Sequence, residues 1–199
     1  MPKLSVKIFD FIIAILLGII LFIPSIVIAI LIKISSKGPV FFLQERVGYK
    51  EKTFKIYKFR TMKIGSSKYG AITIGNDERI TKIGKILRKT KLDEIPQLIN
   101  IYKGEMGFVG PRPDTLEYKE YYKKENSIFF DMLPGITGKA SIYLSNEEEL
   151  MKNVDNPKEF YIEKIIPQKV RLNEYHLKNN NILSNIKVML ETVIKILKK

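Results

Sequence analysis

A run of about 22 residues without a charge, at positions 11–32, constrains the fold of this chain more than any other feature. It is long enough to reach across the hydrocarbon core of a bilayer, and too long for a cleaved signal peptide or an ordinary buried helix. Pro24 lies near its middle, where it removes a backbone hydrogen bond and breaks a helix. Lysines flank both ends of the run, so the distribution of positive charge favours neither orientation in a membrane. These lysines are Lys3, Lys7, Lys33 and Lys37. The pattern favours a re-entrant helix–break–helix over a straight span.

The composition limits the chemistry that the rest of the chain can perform. The 199 residues include no cysteine and a single histidine, His176, which argues against disulfides, thiolate sites, a Ser-His triad and a multi-histidine metal centre. A net charge of +13 indicates an anionic partner, which could be nucleic acid, anionic lipid or a phosphorylated substrate. Any catalysis must therefore use carboxylates, lysine, arginine, hydroxyl groups and a hard metal ion.

The residues that follow the apolar run predict short elements of mixed type. Interleaved aromatic residues and lysines over 38–62 predict an amphipathic hairpin, and the glycines and serines over 63–78 predict a loop. The spacing of Ile80, Ile83 and Leu87 predicts a short helix over 80–89. A second helix is predicted to begin at Asp93 and to end at 103–104.

The last third of the chain alternates between helical and turn patterns. A tyrosine-rich helical stretch is predicted over 114–130, and a turn-rich loop over 133–138. The acidic run 147–149 is more typical of a solvated helix face than of a metal site. Residues 182–199 predict a basic amphipathic helix that either packs on the domain or lies on a membrane. Its apolar side comprises Ile186, Met189, Leu190, Val193 and Leu197.

Two adjacent carboxylates, Asp93 and Glu94, lie in a strongly basic stretch just before Pro96. One interpretation is structural, because Asp is a favoured N-cap and proline is tolerated in the first turn of a helix. The other is catalytic, because a carboxylate can hold Mg²⁺ against substrate phosphates or attack phosphorus itself. Surrounding lysines and arginines would then neutralise phosphate charge.

The segment GPRP at 110–113 provides a second indication of phosphate chemistry. Pro111 and Pro113 restrict the backbone on both sides of Arg112 and present its guanidinium with little conformational freedom. A guanidinium binds oxyanions through two parallel hydrogen bonds. Together with the basic charge and the apolar run, these residues favour phosphate chemistry at a membrane.

Three blocks carry a resemblance to a known family: KIYKFRTM at 55–62, NDERITKIGKILRKTKLDEIPQLINIYKGEMGFVGPRP at 76–113, and LPGITG at 133–138. They closely resemble the bacterial sugar transferases, which are monotopic phosphoglycosyl transferases that act on polyprenyl phosphate. The similarity extends over nearly the whole chain, including the apolar segment with its central proline.

The resemblance implies a two-step transfer. Asp93 would attack the β-phosphorus of a UDP-sugar and release UMP, and undecaprenyl phosphate would then take the sugar phosphate from the aspartyl enzyme. Mg²⁺ is the implied cofactor, with Asp93 as its ligand. Glu94 would assist by orienting the metal or by managing the proton of the acceptor. Lys58, Arg88 and Arg112 match the basic residues that contact the substrate phosphates in this family.

The resemblance also implies an architecture and a location. Residues 1–37 would form a re-entrant membrane anchor hinged at Pro24, and residues 38–199 a compact catalytic domain on the cytoplasmic side of the bacterial inner membrane. The implied fold is α/β of the α+β kind, rich in helix, with a small irregular sheet. It is not a Rossmann fold, and no G-x-G-x-x-G follows a predicted strand. Membrane lipids and downstream glycosyltransferases are the implied partners.

One departure from the family pattern follows the LPGITG block. Many members continue with Gln-Val and then Asn-Gly-Arg, whereas this chain reads KASIYLSNEEELM at 139–151. Lys139 or Lys169 is the candidate to supply the missing positive charge. Three alternatives stay open at this point: a membrane-anchored protein that binds nucleic acid or lipid, an inactive scaffold with the same fold, and a metal-dependent phosphohydrolase. No nucleic-acid-binding module is recognisable, which disfavours a nucleic-acid partner.

Overall fold

The computed structural model describes residues 3–65, 77–125, 127–152 and 154–198. Two short sheets lie among helices that pack around three apolar clusters. This arrangement confirms a helix-rich fold with small sheets that is not of the Rossmann type. Most of the loop predicted over 63–78 lies outside the described residues.

The apolar run forms two helices, α1 (Leu4–Ile20) and α2 (Phe22–Ser35), which are bent by 62° at Leu21. The prediction of a hinge at Pro24 is wrong, because Pro24 lies in the first turn of α2. A proline cannot donate to the carbonyl four residues earlier, which here belongs to Ile20, and so the helix breaks one turn before it. Among the described helices, none alone has the length and apolarity to cross a membrane, whereas this bent pair passes on those criteria.

Two polar contacts attach α1 to the rest of the fold. The carboxylate of Asp10 accepts a hydrogen bond from the backbone N–H of Phe108 at 3.3 Å, and the hydroxyl of Tyr102 donates to the carbonyl of Ala14 at 2.6 Å. Each contact lies against a glycine whose missing Cβ leaves room for the polar group, Gly107 beside Asp10 and Gly18 beside Tyr102. The helix is therefore held at two points about one turn apart.

The predicted amphipathic hairpin is confirmed. Strand β1 (Phe41–Val47) pairs antiparallel with β2 (Thr53–Phe59), in a register that places Phe41 opposite Phe59. Phe59 is buried against Ile32 and Leu87, whereas Phe41 and its neighbours on β1 are exposed. The hairpin also carries Lys58 towards the centre of the molecule.

The segment that contains the carboxylate pair differs from its prediction. Helix α3 (Lys82–Thr90) begins two residues later than predicted, because the side chain of Thr81 caps it by accepting from the N–H of Gly84 at 3.0 Å. A 3₁₀ helix (Leu92–Gln97) follows after a single residue, Lys91, and leads into α4 (Leu98–Tyr102). This short connection places Asp93 within the first turn, so the prediction that Asp93 is an N-cap is wrong. The predicted end at 103–104 is confirmed.

A second sheet positions the GPRP segment. Strand β3 (Gly107–Val109) pairs in parallel with β4 (Gly135–Thr137), so the turn-rich loop predicted over 133–138 contains a strand. The N–H of Gly110 donates to the carbonyl of Thr137, and the N–H of Gly135 donates to the carbonyl of Pro111, both at 2.9 Å. The partner strand lies far away in sequence, and local patterns carry no information about it.

Short helices form the remainder of the described chain. Helix α5 (Lys119–Glu125) lies between two 3₁₀ turns, which confirms the helical prediction for 114–130 in shorter pieces. A π-helical turn (Tyr161–Ile165) joins the helix that ends at Phe160 to the helix that begins at Ile166. The elements of this half are α6 (Lys139–Tyr143), α7 (Glu147–Leu150), α8 (Pro157–Phe160), α9 (Ile166–Asn179) and α10 (Ile182–Leu197).

Helix α10 divides its surface into three faces. Asn185 and Val188 are buried against the domain, and Thr192 contacts the hydroxyl of Thr137 at 2.7 Å. A second face is apolar and exposed at helical spacing: Leu183, Ile186, Leu190, Val193, Ile194 and Leu197. The third face is charged: Lys187, Glu191, Lys195 and Lys198. Of the predicted apolar side, Met189 packs against an apolar cluster, whereas Ile186, Leu190, Val193 and Leu197 are exposed.

Candidate active site

Asp93 is a buried carboxylate with one uncommitted oxygen. The residue is 6 % exposed, and within the described part of the chain its Oδ1 atom has no hydrogen-bond partner. Burial raises the pKa of Asp93 above its ordinary value, Glu94 raises it further, and Lys58 opposes both. A buried acceptor without a partner is uncommon in folded proteins and calls for an explanation, of which a catalytic role is one; Oδ1 of Asp10 is a second such carboxylate oxygen.

Glu94 is buried beside Asp93 but is fully engaged. Its Oε1 atom lies 3.4 Å from Nζ of Lys58 and 2.7 Å from Nη2 of Arg112, and its Oε2 atom lies 3.3 Å from Nη1 of Arg112. Burial alone would raise the pKa of Glu94, but Arg112 and Lys58 lower it well below the ordinary range. Glu94 is thus an ionised carboxylate that holds two cations next to Asp93.

Three separate elements supply the residues of this Glu94 clamp, which comprises Lys58, Glu94 and Arg112. Lys58 comes from β2, Glu94 from the 3₁₀ helix, and Arg112 follows β3 between its two prolines. Burial lowers the pKa of Lys58 to about 8, although Glu94 acts in the opposite direction. The pKa of Arg112 is raised by Glu94, so its guanidinium stays charged.

Arg88, the third cation predicted to contact phosphate, lies in the last turn of α3. Its Nε atom donates to Oγ1 of Thr61 at 3.0 Å, just beyond the end of β2. The structure therefore brings Lys58 and Arg112 onto Glu94 and holds Arg88 at Thr61.

A second buried cluster, which the sequence patterns did not reveal, surrounds Asp114. Tyr122 donates to Oδ2 of Asp114 at 2.9 Å, and Tyr161 donates to the same oxygen. Lys169 and Arg46 lie 3.9 and 3.6 Å from its carboxylate oxygens. Burial would raise the pKa of Asp114, but Lys169 and Arg46 lower it. The only sequence signal was the richness in tyrosine over 114–130, which does not identify the partners.

The two lysines suggested as replacements for the missing arginine are both ion-paired. Lys139 lies 2.6 Å from Glu191 of α10, and Lys169 lies 2.9 Å from Glu147 of α7. Glu147 is half-buried in this pair and Glu149 is exposed, so the predicted solvated acidic face is confirmed for Glu149 and not for Glu147. Each lysine already has a carboxylate to neutralise its charge.

The fit of a metal ion to these residues can be judged from the donors present. Among the described residues, no three His, Cys, Asp or Glu side chains come together as a metal-binding group. A single carboxylate with a free oxygen, such as Asp93, fits Mg²⁺, which commonly binds one or two protein carboxylates together with substrate phosphates and water. The residues present are thus compatible with Mg²⁺ in that mode.

A free carboxylate oxygen beside a clamp of lysine and arginine is a site of the kind used for phosphoryl transfer. The comparison with protein families agrees with this class. Residues 1–199 match the profile of the bacterial sugar transferases, and the chain belongs to that family. The resemblance inferred from the sequence blocks is confirmed.

Characterised relatives are about 40 % identical to part of the chain. It is similar to the UDP-N-acetylgalactosamine-undecaprenyl-phosphate N-acetylgalactosaminephosphotransferase of Aeromonas hydrophila, 42 % identical over 118 residues, which are 57 % of this chain and 28 % of that protein. The UDP-glucose:undecaprenyl-phosphate glucose-1-phosphate transferase of Escherichia coli K12 is 40 % identical over 143 residues, 69 % of this chain and 31 % of that protein. The chain thus spans about a third of the length of these two relatives.

Proposed function

We propose that the protein transfers a sugar 1-phosphate from a UDP-sugar to polyprenyl phosphate, in bacteria undecaprenyl phosphate. The observation that carries the proposal is the uncommitted Oδ1 of buried Asp93 beside the Glu94 clamp. The names of the relatives from A. hydrophila and E. coli, which include both substrates, support the same reaction. The product, a polyprenyl-diphosphate sugar, would begin the assembly of a bacterial glycoconjugate and would pass to downstream glycosyltransferases.

In the first step, the carboxylate of Asp93 attacks the β-phosphorus of the UDP-sugar. A bond forms between a carboxylate oxygen and phosphorus, and the bond from that phosphorus to the bridging oxygen breaks. UMP leaves with the bonding electrons, and the sugar phosphate is linked to Asp93 as an acyl phosphate. Because Oδ1 of Asp93 has no partner to lose, the attack breaks no protein hydrogen bond at that atom.

In the second step, a phosphate oxygen of polyprenyl phosphate attacks the same phosphorus. The bond between phosphorus and Asp93 breaks, and the carboxylate is regenerated. An acyl phosphate has a good leaving group, so this step needs no protonation of Asp93. The two half-reactions use one nucleophile in turn, which predicts ping-pong kinetics.

Glu94 acts in this proposal as a positioning residue. Its lowered pKa makes it a weak base, and its two oxygens already accept from Arg112 and Lys58. This arrangement favours the orienting role over the management of a proton. Arg112 uses two of its five N–H groups on Glu94, so others remain for substrate phosphate. Arg88, whose Nε atom donates to Oγ1 of Thr61, is the third proposed phosphate-binding cation.

Mg²⁺ is the proposed cofactor, and Asp93 would hold it together with the substrate phosphates. When bound, the ion would neutralise charge on the diphosphate and on the departing UMP. The protein side of the site contributes the remaining positive charge through Lys58 and Arg112.

The proposed location is the bacterial inner membrane, with residues 1–37 as a re-entrant anchor and residues 38–199 facing the cytoplasm. Large apolar side chains of α1 and α2 are exposed along both helices, for example Leu4, Ile19, Phe22 and Ile34. A continuous apolar surface of this kind needs a cover, and a bilayer provides one. The exposed apolar face of α10, flanked by lysines, is suited to the headgroup region of anionic lipids.

The decisive experiment measures UMP release by the purified full chain with Mg²⁺, undecaprenyl phosphate and a panel of UDP-sugars. We expect multiple turnovers with the correct sugar, and one equivalent of UMP or less when the acceptor is omitted. Asp93→Asn should release UMP at least about 10³-fold more slowly, whereas Asp131→Asn, a change at an exposed aspartate, serves as the matched control and should act like the wild type.

The same assay separates the alternatives. A phosphohydrolase would release free sugar phosphate without an acceptor, and a binding protein or inactive scaffold would release no UMP with any sugar. Undiminished turnover by Asp93→Asn would rule out the covalent step. Mass spectrometry of acid-quenched enzyme should find the sugar phosphate on the peptide that contains Asp93.

A further inference from the structure

The side chain of Asn100 is fully buried between α4 and the hairpin. Its Oδ1 atom accepts a hydrogen bond from the backbone N–H of Tyr57 at 3.1 Å, and its Nδ2 atom donates to the carbonyl of Lys55 at 2.8 Å. Nδ2 also donates to Oε2 of Glu105 at 2.8 Å. The oxygen and the nitrogen of the carboxamide are therefore both engaged, and exchanging the two atoms would leave none of these bonds in place.

The two bonds to β2 take the place of a neighbouring strand. Lys55 and Tyr57 are two residues apart, so their backbone groups point to the same edge of the strand. Strand β1 is bonded along the opposite edge. The carboxamide of Asn100 presents one acceptor and one donor to this second edge, as a peptide group of a third strand would. It thereby fixes the position of β2 relative to α4.

This link connects two members of the Glu94 clamp. Lys58 directly follows the segment of β2 that Asn100 binds, and Glu94 lies on the 3₁₀ helix that continues without interruption into α4. The contact between Nζ of Lys58 and Oε1 of Glu94 is 3.4 Å long. Hydrogen bonds to nitrogen are commonly no longer than about 3.2 Å, so a small displacement of β2 would break this one.

The backbone of Asn100 is bonded to the segment that precedes the third member of the clamp. Its carbonyl accepts from the N–H of Glu105 at 2.9 Å and from the N–H of Met106 at 3.3 Å. These two residues lead into β3, and Arg112 follows that strand. One buried residue is thus bonded to, or lies in, the segments that carry all three members of the clamp.

We infer that Asn100 is a positioning residue, which holds Lys58 against Glu94 in the place where Lys58 binds the phosphates of the donor. The inference rests on the proposed function, since that function assigns Lys58 to the substrate phosphates. Asn100 itself touches no substrate in this scheme. Its effect on the reaction passes through the ammonium of Lys58.

The first test measures the placement of Lys58 without any turnover. Acetic anhydride acylates accessible lysines, and mass spectrometry of the purified full chain gives the rate at each one. The side chain of Lys58 is only 18 % exposed, whereas Lys55 on the same strand is exposed and serves as the internal reference. We expect Asn100→Ala to raise the rate at Lys58 several-fold relative to the rate at Lys55.

Two further variants separate placement from general loss of stability. Asn173→Ala is the matched control, because Asn173 is also buried but donates only within its own helix, to the carbonyl of Lys169. It should leave the labelling ratio unchanged. Asn100→Ser keeps a hydroxyl for one of the two backbone groups and should give an intermediate ratio, so the test stands even where Asn100→Ala does not fold.

The second test is a double-mutant cycle on UMP release. Asn100→Ala should lower kcat/KM for the UDP-sugar by about 10-fold or more, because a displaced binding group is costly. In a chain that already carries Lys58→Ala, the same change should lower kcat/KM by less than about 2-fold, since the residue through which Asn100 acts is absent. An equal loss in both backgrounds would mean that Asn100 is merely structural.

The two tests fail independently of each other. An unchanged labelling ratio in both Asn100 variants would overturn the positioning role, whatever the activity. A wild type that releases no UMP with any sugar, while the labelling of Lys58 depends on Asn100, would refute the proposed function and support the placement of Lys58 by Asn100.

Discussion

Two buried ionic clusters lie on either side of Pro113, and they differ in one respect. The Glu94 clamp adjoins Asp93, whose Oδ1 atom has no partner within the described residues. The cluster around Asp114 contains no such atom on its carboxylate, because tyrosine hydroxyls, a backbone N–H, lysine and arginine surround both oxygens. The occupied oxygens of Asp114 favour a structural role for the second cluster, that of a scaffold, although Nε of its Arg46 has no partner among the described residues, whereas the free oxygen of Asp93 suits the proposed chemistry. Burial and charge alone would not distinguish them.

The largest expected effect is on Asp93. Replacing it with asparagine should reduce UMP release by about 10³-fold or more, because the nucleophile is lost. The free energy of unfolding should stay the same or rise, since the change removes a buried charge. Thermal unfolding and UMP release, measured together, would show whether activity and stability separate at this residue. A parallel loss of both would mean that Asp93 is a structural acid.

The opposite result is expected at Asp114. Asp114→Asn should lower the free energy of unfolding by about 3 kcal/mol, because Lys169 and Arg46 would lose a buried counter-charge. Because folding lowers the pKa of Asp114, its ionised carboxylate stabilises the fold at any pH above its pKa in the unfolded state. This stabilisation is lost as the pH falls through its pKa in the folded state. Stability should therefore depend on Asp114 at neutral pH, and this dependence should disappear only in acid, as the pH falls through the lowered pKa of the folded state.

A test that distinguishes the clamp from the scaffold by pH uses Lys58. With a pKa of about 8, Lys58 loses its charge as the pH rises, so kcat/KM for the donor should decline above that value. One pH unit above this pKa, Lys58 would be charged in about a tenth of the protein molecules. Lys58→Arg should remove this decline, because arginine does not deprotonate in this range. Lys55→Arg, an exposed change on the same strand, should leave the pH profile unaltered.

The smallest expected effect concerns Tyr161. Tyr161→Phe removes one of the hydrogen bonds to Asp114 and should cost about 1 kcal/mol of unfolding free energy, with activity within about 2-fold of the wild type. Tyr143→Phe, at an exposed position, is the control and should change neither quantity. Denaturant unfolding would measure the difference, and a large loss of activity would show that the scaffold takes part in catalysis.

The sequence predicted what local patterns encode and missed what distant contacts decide. The apolar run, the hairpin over 38–62 and the end of α4 follow from composition, alternation and a left-handed glycine. The pairing of Glu94 with Arg112 depends on the parallel pairing of β3 and β4, whose strands are separated by more than twenty residues. No periodicity could have identified that contact.

For the carboxylate pair, the sequence pointed to Asp93 as a candidate site residue but predicted its local structure wrongly. Its unusual place in a basic stretch drew attention to Asp93, yet the expected cap geometry was wrong because a single residue separates α3 from the 3₁₀ helix. Pro24 is a similar case, because it correctly predicted a break in the apolar run but not its position. The bend lies at Leu21, directly after Ile20, whose carbonyl receives no hydrogen bond from Pro24.

The attachment of α1 at two points fixes the position of the candidate active site relative to α1. Asp10 is bonded to β3, which leads to Arg112, and Ala14 is bonded to α4, which continues from the helix of Asp93. If α1 is seated in a bilayer as proposed, its depth determines how far Asp93, the proposed nucleophile, stands above the lipid surface. A lipid-borne phosphate is confined to a thin layer at that surface, so the two reactive groups would meet by diffusing in two dimensions rather than three.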